Sequence, residues 1–262
     1  MTCQVLALTN ARADTSETPP YGLTSASRRS RRSSLRPLSN RTRHRAPSTA
    51  QLRAARAEHP WGDHLPLVGR RHDLTALRRH LNDAIAGQGH CLLLTGEAGA
   101  GKSRLLATLT SEAQAKGMLV AAGSAFAMES GIPYGALADA LAAPLRALDA
   151  AALTVLARGC EDDLHAIVPG LAMGSTAGLT AVADDVGGKA RLLWNVSQFL
   201  TRLARKQPLL LVLDNAQECD ASSLEFLHFL ARQVRGARVL IILAYVDGGD
   251  EQNVVLRGAV RS

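Results

Sequence analysis

Long apolar runs and paired cysteines are both missing from this sequence. No run approaches the roughly 20 apolar residues that a transmembrane helix requires, which predicts a soluble protein with no membrane partner. The four cysteines, Cys3, Cys91, Cys160 and Cys219, lie far apart and form no C-x-x-C pair. Their spacing argues against a cysteine metal site or a disulfide framework and favours a cytoplasmic location.

The positive charge of the chain is confined to its N-terminal segment. The formal net charge is +7, yet residues 1–60 alone hold eleven arginines against Asp14, Glu17 and Glu58. This segment is also rich in serine, threonine and proline, a composition that buries too little apolar surface to offset the entropy of ordering. We therefore predict a disordered basic tail over residues 1–60, followed by a nearly neutral folded domain.

Several functions are open to this tail. An arginine-rich and serine-rich leader with few acids resembles an organelle transit peptide. Arginines also bind nucleic acid through the release of counterions, and a localisation signal is a third option. We favour the simplest interpretation, a solvated tail or a stretch that precedes the true start of translation.

A glycine-rich loop indicates what the folded domain binds. The pattern G-x-x-x-x-G-K-S is formed by Gly96, Glu97, Ala98, Gly99, Ala100, Gly101, Lys102 and Ser103. An apolar run at residues 90–95 predicts a strand before it, and a helix-forming stretch begins at Arg104, which is the context that a phosphate-binding P-loop needs. A chance glycine turn is the alternative, and this context argues against it.

The residue types of this loop suit a nucleotide phosphate. Glycine lets the backbone wrap around phosphate oxygens because a positive φ costs it nothing. The loop amides and the helix N-terminus donate hydrogen bonds to an anion. Lys102 is expected to contact the β- and γ-phosphates and Ser103 to bind Mg²⁺, and we include Arg104 among the nucleotide-binding candidates.

Alternating apolar runs and amphipathic stretches predict the fold. Strands are expected near residues 90–95, 118–123, 208–214 and 238–244, with helices between them. Residues 151–168 are also expected to be helical, and a long loop is expected at 170–188. This order is typical of an α/β, doubly wound parallel sheet with helices on both faces.

The apolar run at residues 208–214 ends in the carboxylate of Asp214, which is the Walker B pattern. We therefore predict that Asp214 holds Mg²⁺ beside Ser103.

Five stretches resemble one family: residues 67–70, 96–103, 129–134, 209–220 and 240–247. They are similar to the AAA-type, signal-transducing (STAND-like) ATPase module near the N-terminus of large bacterial LuxR-type regulators and some adenylyl cyclases, a module related to the origin-recognition ATPases. The resemblance covers residues 65–262 and implies a P-loop NTPase fold, ATP and Mg²⁺ as cofactors, and a partner or effector domain that reads the nucleotide state. It also implies that Val68 and Gly69 line the adenine pocket, while Pro133 and Tyr134 are expected to be structural.

The sequence departs from this family at three places. The second acid of the Walker B region, expected to activate water, is Asn215, whose amide orients water but takes no proton; losing a general base costs roughly 10² to 10⁴ in rate. The arginine that ends the following strand in the family is replaced by Val246. The chain also stops at Ser262, so the domain is expected to be incomplete at its C-terminus.

Four hypotheses follow for the function. The first, which we favour, is an ATP-binding regulatory switch that hydrolyses slowly, with Lys102, Asp214 and Asn215 as the residues nearest the chemistry. The second is a competent ATPase that uses Glu218 or Asp220 as a substitute base. The third is a nucleic-acid-binding protein that acts through the basic tail. The fourth is a truncated remnant of a longer transcription regulator.

Overall fold

A computed structural model describes residues 4–7, 69–173 and 186–246. These residues all belong to one compact unit. The predicted tail after residue 7, and residues 174–185 of the predicted loop, lie outside the described residues. Within the described part, no helix is long and apolar enough to cross a membrane.

Five strands form one sheet. They are β1 (Gln4–Ala7), β2 (His90–Gly96), β3 (Leu119–Ser124), β4 (Leu209–Asp214) and β5 (Val239–Val246). The order across the sheet is β1-β2-β5-β4-β3, and the last four strands are parallel. The four predicted strands and their parallel pairing are therefore confirmed.

Strand β1 was not predicted. It pairs antiparallel with β2, with Gln4 opposite Thr95 and Ala7 opposite Leu92. Four residues at the start of an arginine-rich segment are too few to show a strand period. In the structure they cover the edge of β2 that would otherwise present unpaired backbone groups.

One helix precedes β2, and the other helices occupy the connections between the parallel strands. The bounds are α1 (Arg71–Ile85), α2 (Lys102–Ala115), α3 (Gly135–Arg146), α4 (Ala150–Ala157), α5 (Glu161–Ile167), α6 (Val186–Lys206) and α7 (Ala221–Gln233). Short 3₁₀ turns lie at Ala127–Glu129, Ala216–Glu218 and Val234–Gly236. The stretch predicted to be helical over residues 151–168 consists of two helices, because Gly159 between them takes a φ of +82° that an α-helix excludes.

The helices cover both faces of the sheet, as predicted. Helices α1 and α2 pack on the face that carries Leu210 and Val212. Helices α3, α6 and α7 pack on the opposite face with Leu209 and Leu211. Every residue of β4 is buried, because a parallel strand between two helical layers has no solvent face.

The strand register brings the carboxyl ends of the strands to one edge. Gly96 at the end of β2 lies beside Val246 at the end of β5, and Ser124 at the end of β3 lies beside Asp214 at the end of β4. In a doubly wound sheet this is the edge where ligands bind.

Candidate functional site

The glycine loop leaves the sheet at the carboxyl end of β2. That strand ends at Gly96, and α2 begins at Lys102, so the predicted order of strand, loop and helix is confirmed. Gly99 and Gly101 have φ values of +74° and +85°, a region in which a residue with a Cβ is strained. Glu97, Ala98 and Gly99 are exposed at the tip of the turn, and Ala100 is buried beneath it.

The Lys102 side chain lies over the inside of the loop. Its Nζ donates hydrogen bonds to the carbonyl oxygens of Gly96 at 2.9 Å and Glu97 at 3.0 Å. Only 6% of the residue is exposed. The ammonium is therefore held among loop atoms, whereas Arg104, two residues later, is exposed on α2.

Ser103 and Asp214 meet although 111 residues separate them in the chain. The Ser103 hydroxyl donates a hydrogen bond of 2.5 Å to Asp214 Oδ2, and the backbone N–H of Asn215 donates to Oδ1 at 2.9 Å. The hydroxyl and carboxylate oxygens are hard ligands of the kind that Mg²⁺ binds. The pair therefore fits a magnesium ion, which Ser103 and Asp214 would hold and which would supply positive charge for phosphate oxygens.

Asn215 connects β4 to the turn at Ala216–Glu218. It has φ 53° and ψ 42°, a left-handed conformation that asparagine tolerates better than most residues. Its side chain is half-buried, and an amide lacks a site that accepts a proton near neutral pH. Val246 is half-buried beside Gly96. It occupies the position at which the family that the sequence resembles carries an arginine.

The two acids proposed as a substitute base differ in their contacts. Asp220 Oδ1 accepts from the backbone N–H groups of Tyr134 and Ser223, both at 2.8 Å. Asp220 Oδ2 accepts from the Ser223 hydroxyl at 2.6 Å and from the Ala136 N–H at 3.4 Å. A carboxylate has about four acceptor positions, so the second hypothesis does not fit Asp220. Glu218 is half-buried and lines a shallow depression with Phe126 and Glu129.

Asp220 instead stabilises the strained backbone at Tyr134. It caps the N-terminus of α7 through Ser223 and binds the N–H of Tyr134, which has a φ of +60°. A positive φ at a bulky residue is a true outlier. Tyr134 was expected to be structural, and its hydrogen-bond partner is Asp220. The sequence analysis did not predict this contact.

Arg70 is a second residue that the sequence analysis missed. Its guanidinium donates a 2.6 Å hydrogen bond to the carbonyl of Ala100 and forms an ion pair with Asp73 at 3.1 Å. Arg70, the last residue of the 67–70 stretch, therefore contacts the loop. Gly69 has a φ of +77°, and Val68 lies outside the described residues.

The cysteines of the described part are buried and free. Burial raises the pKa of the Cys91 thiol to about 12, so the group stays neutral within β2. Cys91 is therefore a residue of the hydrophobic core.

Comparison with known proteins agrees with this geometry. The sequence matches the family described as the AAA ATPase domain over residues 66–242, about two thirds of the chain. That range contains the glycine loop, Asp214 and the first half of β5. A search of curated proteins found no match. Three observations agree: a strand-loop-helix phosphate site, a Ser–Asp pair at the carboxyl edge of a parallel sheet, and the family match. The chain therefore belongs to the AAA ATPase domain family.

Proposed function

We propose that this protein binds Mg·ATP as a regulatory AAA-type switch and hydrolyses it slowly. The observation that carries the proposal is the hydrogen bond between Ser103 Oγ and Asp214 Oδ2. It joins the first residues of α2 to the end of β4 at the edge where the loop of Gly96–Ser103 opens. Lys102, held among the loop carbonyls, supplies a cation for phosphate oxygens.

Slow hydrolysis is supported by what surrounds Asp214. The next residue is Asn215, whose amide orients a water molecule but cannot take its proton. The end of β5 carries Val246 beside Gly96, so no cation is provided from that position. A charge-assisted hydrogen bond of about 1.5–3 kcal/mol is therefore lost. Binding without rapid turnover suits a domain whose nucleotide state is read by a partner or effector, as in the LuxR-type regulators that the sequence resembles.

A second candidate is a competent ATPase with Glu218 as the base. It is favoured by the position of Glu218, half-buried in the turn that follows Asn215 and next to a depression lined by Phe126. The two candidate functions predict different rates of ATP hydrolysis and the same ATP binding.

The test measures ATP affinity and steady-state hydrolysis on the same preparations. We expect Lys102→Ala to abolish ATP binding, while Lys116→Ala, at the exposed end of the same helix, leaves it unchanged. We expect Asn215→Asp to raise turnover by roughly 10²-fold or more, since it restores a base, and Glu218→Gln to leave it unchanged.

Two outcomes would count against these proposals. If the wild-type protein binds neither ATP nor ADP at millimolar concentration, the switch proposal fails. If Glu218→Gln removes a turnover that Asn215→Asp does not raise, the second candidate replaces slow hydrolysis. Nucleic-acid binding through the basic tail stays a separate prediction, because all the arginines of that segment lie outside the described residues.

A further inference from the structure

Three potential metal ligands meet at the end of β2 that is opposite to the glycine loop. His80 and Asp83 lie three residues apart on α1, so they project from neighbouring positions of one helical face. His90 is the first residue of β2. The seven residues of β2 span about 20 Å, so this cluster is distinct from the proposed nucleotide site.

The three side chains are close enough to share one ion. One ligand atom from each of His80, Asp83 and His90 can be chosen so that all lie within 4.8 Å of one another. His90 Nε2 is 3.8 Å from Asp83 Oδ2. The imidazole rings of His80 and His90 meet edge to face, with centroids 4.8 Å apart and planes at 71°.

Two nitrogen atoms in this cluster are buried without a hydrogen-bond partner. They are His80 Nδ1 and His90 Nε2, and these are the only side-chain atoms in the described part of the chain with that property. Buried polar atoms are nearly always satisfied, so an orphaned pair on touching rings requires an explanation. A cation bound between them supplies one, because each neutral ring nitrogen offers it a lone pair.

The backbone around the cluster is held firmly in place. Helix α1 is anchored by Leu77 and Leu81, both fully buried. Gly89, directly before His90, donates its N–H to the carbonyl of Arg235 at 3.2 Å, and a Cβ on Gly89 would lie 1.9 Å from the Val234 carbonyl oxygen. The turn before β2 therefore sits against the chain at Val234–Gly236. Helix and strand present the ligands from two rigid elements.

We propose that His80, Asp83 and His90 bind a divalent transition-metal ion with the ligand preference of Zn²⁺. Two imidazoles and one carboxylate are a common zinc ligand set, with bonds of 2.0–2.2 Å. Tetrahedral coordination at such bond lengths puts the ligand atoms about 3.3 Å apart, so side-chain rotation must bring them closer together by up to about 1.5 Å. The site tethers α1 to the strand that carries the glycine loop. Imidazole ligands exclude Mg²⁺ as its natural ion.

The test uses the full chain after removal of metal with a chelator. We titrate Zn²⁺ in the presence of excess Mg²⁺ and expect one equivalent to bind, and we expect Co²⁺ to show the visible absorption of a tetrahedral site. His80→Gln and His90→Gln should each abolish both signals. Asp83→Asn should weaken Zn²⁺ binding at least about tenfold. The matched control is His72→Gln, which removes an exposed histidine from the same helix.

Thermal unfolding provides a readout that does not depend on the ligand count. At a Zn²⁺ concentration 100 times Kd, the unfolding midpoint of the wild type and of His72→Gln should rise by on the order of 5 °C. The two ligand variants should show no rise, and their circular dichroism without metal should match that of the wild type.

Three outcomes would overturn the proposal. One is an absence of Zn²⁺ binding at 100 μM, which would leave a water molecule or a protonated His90–Asp83 pair as the partner of the ring nitrogens. Another is an equivalent of Zn²⁺ that persists in the double variant of His80 and His90, which would place the ion elsewhere in the chain. The third is a loss of Zn²⁺ binding in the control variant His72→Gln. None of these results bears on ATP binding.

Discussion

The guanidinium of Arg70 donates a 2.6 Å hydrogen bond to the carbonyl oxygen of Ala100, thirty residues further along the chain. This contact ties the residue before α1 to the centre of the glycine loop. The same side chain is paired with Asp73 at 3.1 Å and is only 15% exposed. It is therefore shielded from solvent more than a typical surface arginine, and its interactions are worth correspondingly more.

We predict that Arg70→Ala weakens ATP binding about tenfold. Loss of a hydrogen bond from a charged donor costs about 1.5 kcal/mol, and a tenfold change in Kd corresponds to about 1.4 kcal/mol. The measurement is equilibrium binding of ATP with Mg²⁺ present. Arg71→Ala is the control, since Arg71 is the next residue and is exposed. Equal effects of the two substitutions would show that the contact with Ala100 does not position the loop.

Ser103 and Asp214 are expected to act as a coupled pair in binding Mg·ATP. Ser103→Ala and Asp214→Asn should each reduce affinity, and the double variant should lose about 1 kcal/mol less than the two single losses combined. A double-mutant cycle on ATP affinity measures this difference. In EDTA the coupling should vanish. For comparison, Ser103→Ala combined with Asp162→Asn, an exposed acid on α5, should be additive; coupling of similar size there would refute the pairing.

Asp220 is expected to matter for stability. Asp220→Ala leaves the N–H groups of Tyr134 and Ser223 without a carboxylate in the protein interior, at a cost of about 3 kcal/mol. Urea unfolding measures the loss. Asp149 is the matched control because its carboxylate accepts from Ala152 N–H at 3.0 Å and caps α4 at an exposed site, so Asp149→Ala should cost about 1 kcal/mol. An Asp220 variant of wild-type stability would contradict the structural role.

The buried thiols predict that the protein loses stability at alkaline pH. Burial raises the pKa of Cys91 from 9.0 to about 12, that of Cys219 to about 12 and that of Cys160 to about 11. Between pH 9 and 12 the unfolded chain loses thiol protons that the folded chain keeps, so the unfolded state binds fewer protons and the free energy of unfolding falls as pH rises.

Urea unfolding at several pH values tests this prediction. Cys91→Ala removes one of the three groups, and its stability should decline less between pH 9 and 12 than that of the wild type. Parallel curves for the two proteins would mean that the Cys91 thiol titrates in the folded protein as it does in the unfolded chain, which would contradict the raised pKa.

Much of the fold was predictable because its signals are local. The continuous apolar run of β4 indicates a strand covered on both faces, and the glycine pattern around Lys102 indicates a turn between strand and helix. Breaks within helical stretches were harder to predict. Gly159 divides a stretch of helix-forming residues, and a single glycine is also compatible with an unbroken helix.

The candidate site was predictable in its residue types and in the pairing of Ser103 with Asp214, and not in its other contacts. Lys102, Ser103 and Asp214 stand in motifs that can be recognised one at a time. That Asp220 is committed to Tyr134 and Ser223, and that Arg70 reaches Ala100, depends on the packing of elements that are distant in the chain. The spacing of residues in the sequence does not predict such contacts.

The sequence by itself determined the four parallel strands, the glycine loop and the carboxylate that ends β4, because each depends on the chemistry of neighbouring residues. Only the tertiary structure decided that β5 lies between β2 and β4, that Arg70 reaches Ala100, and that His80 and Asp83 face His90. These relationships follow from the order of strands in the sheet and from the helix that each strand packs against. Residues far apart in the chain become neighbours through that order, which local patterns do not encode.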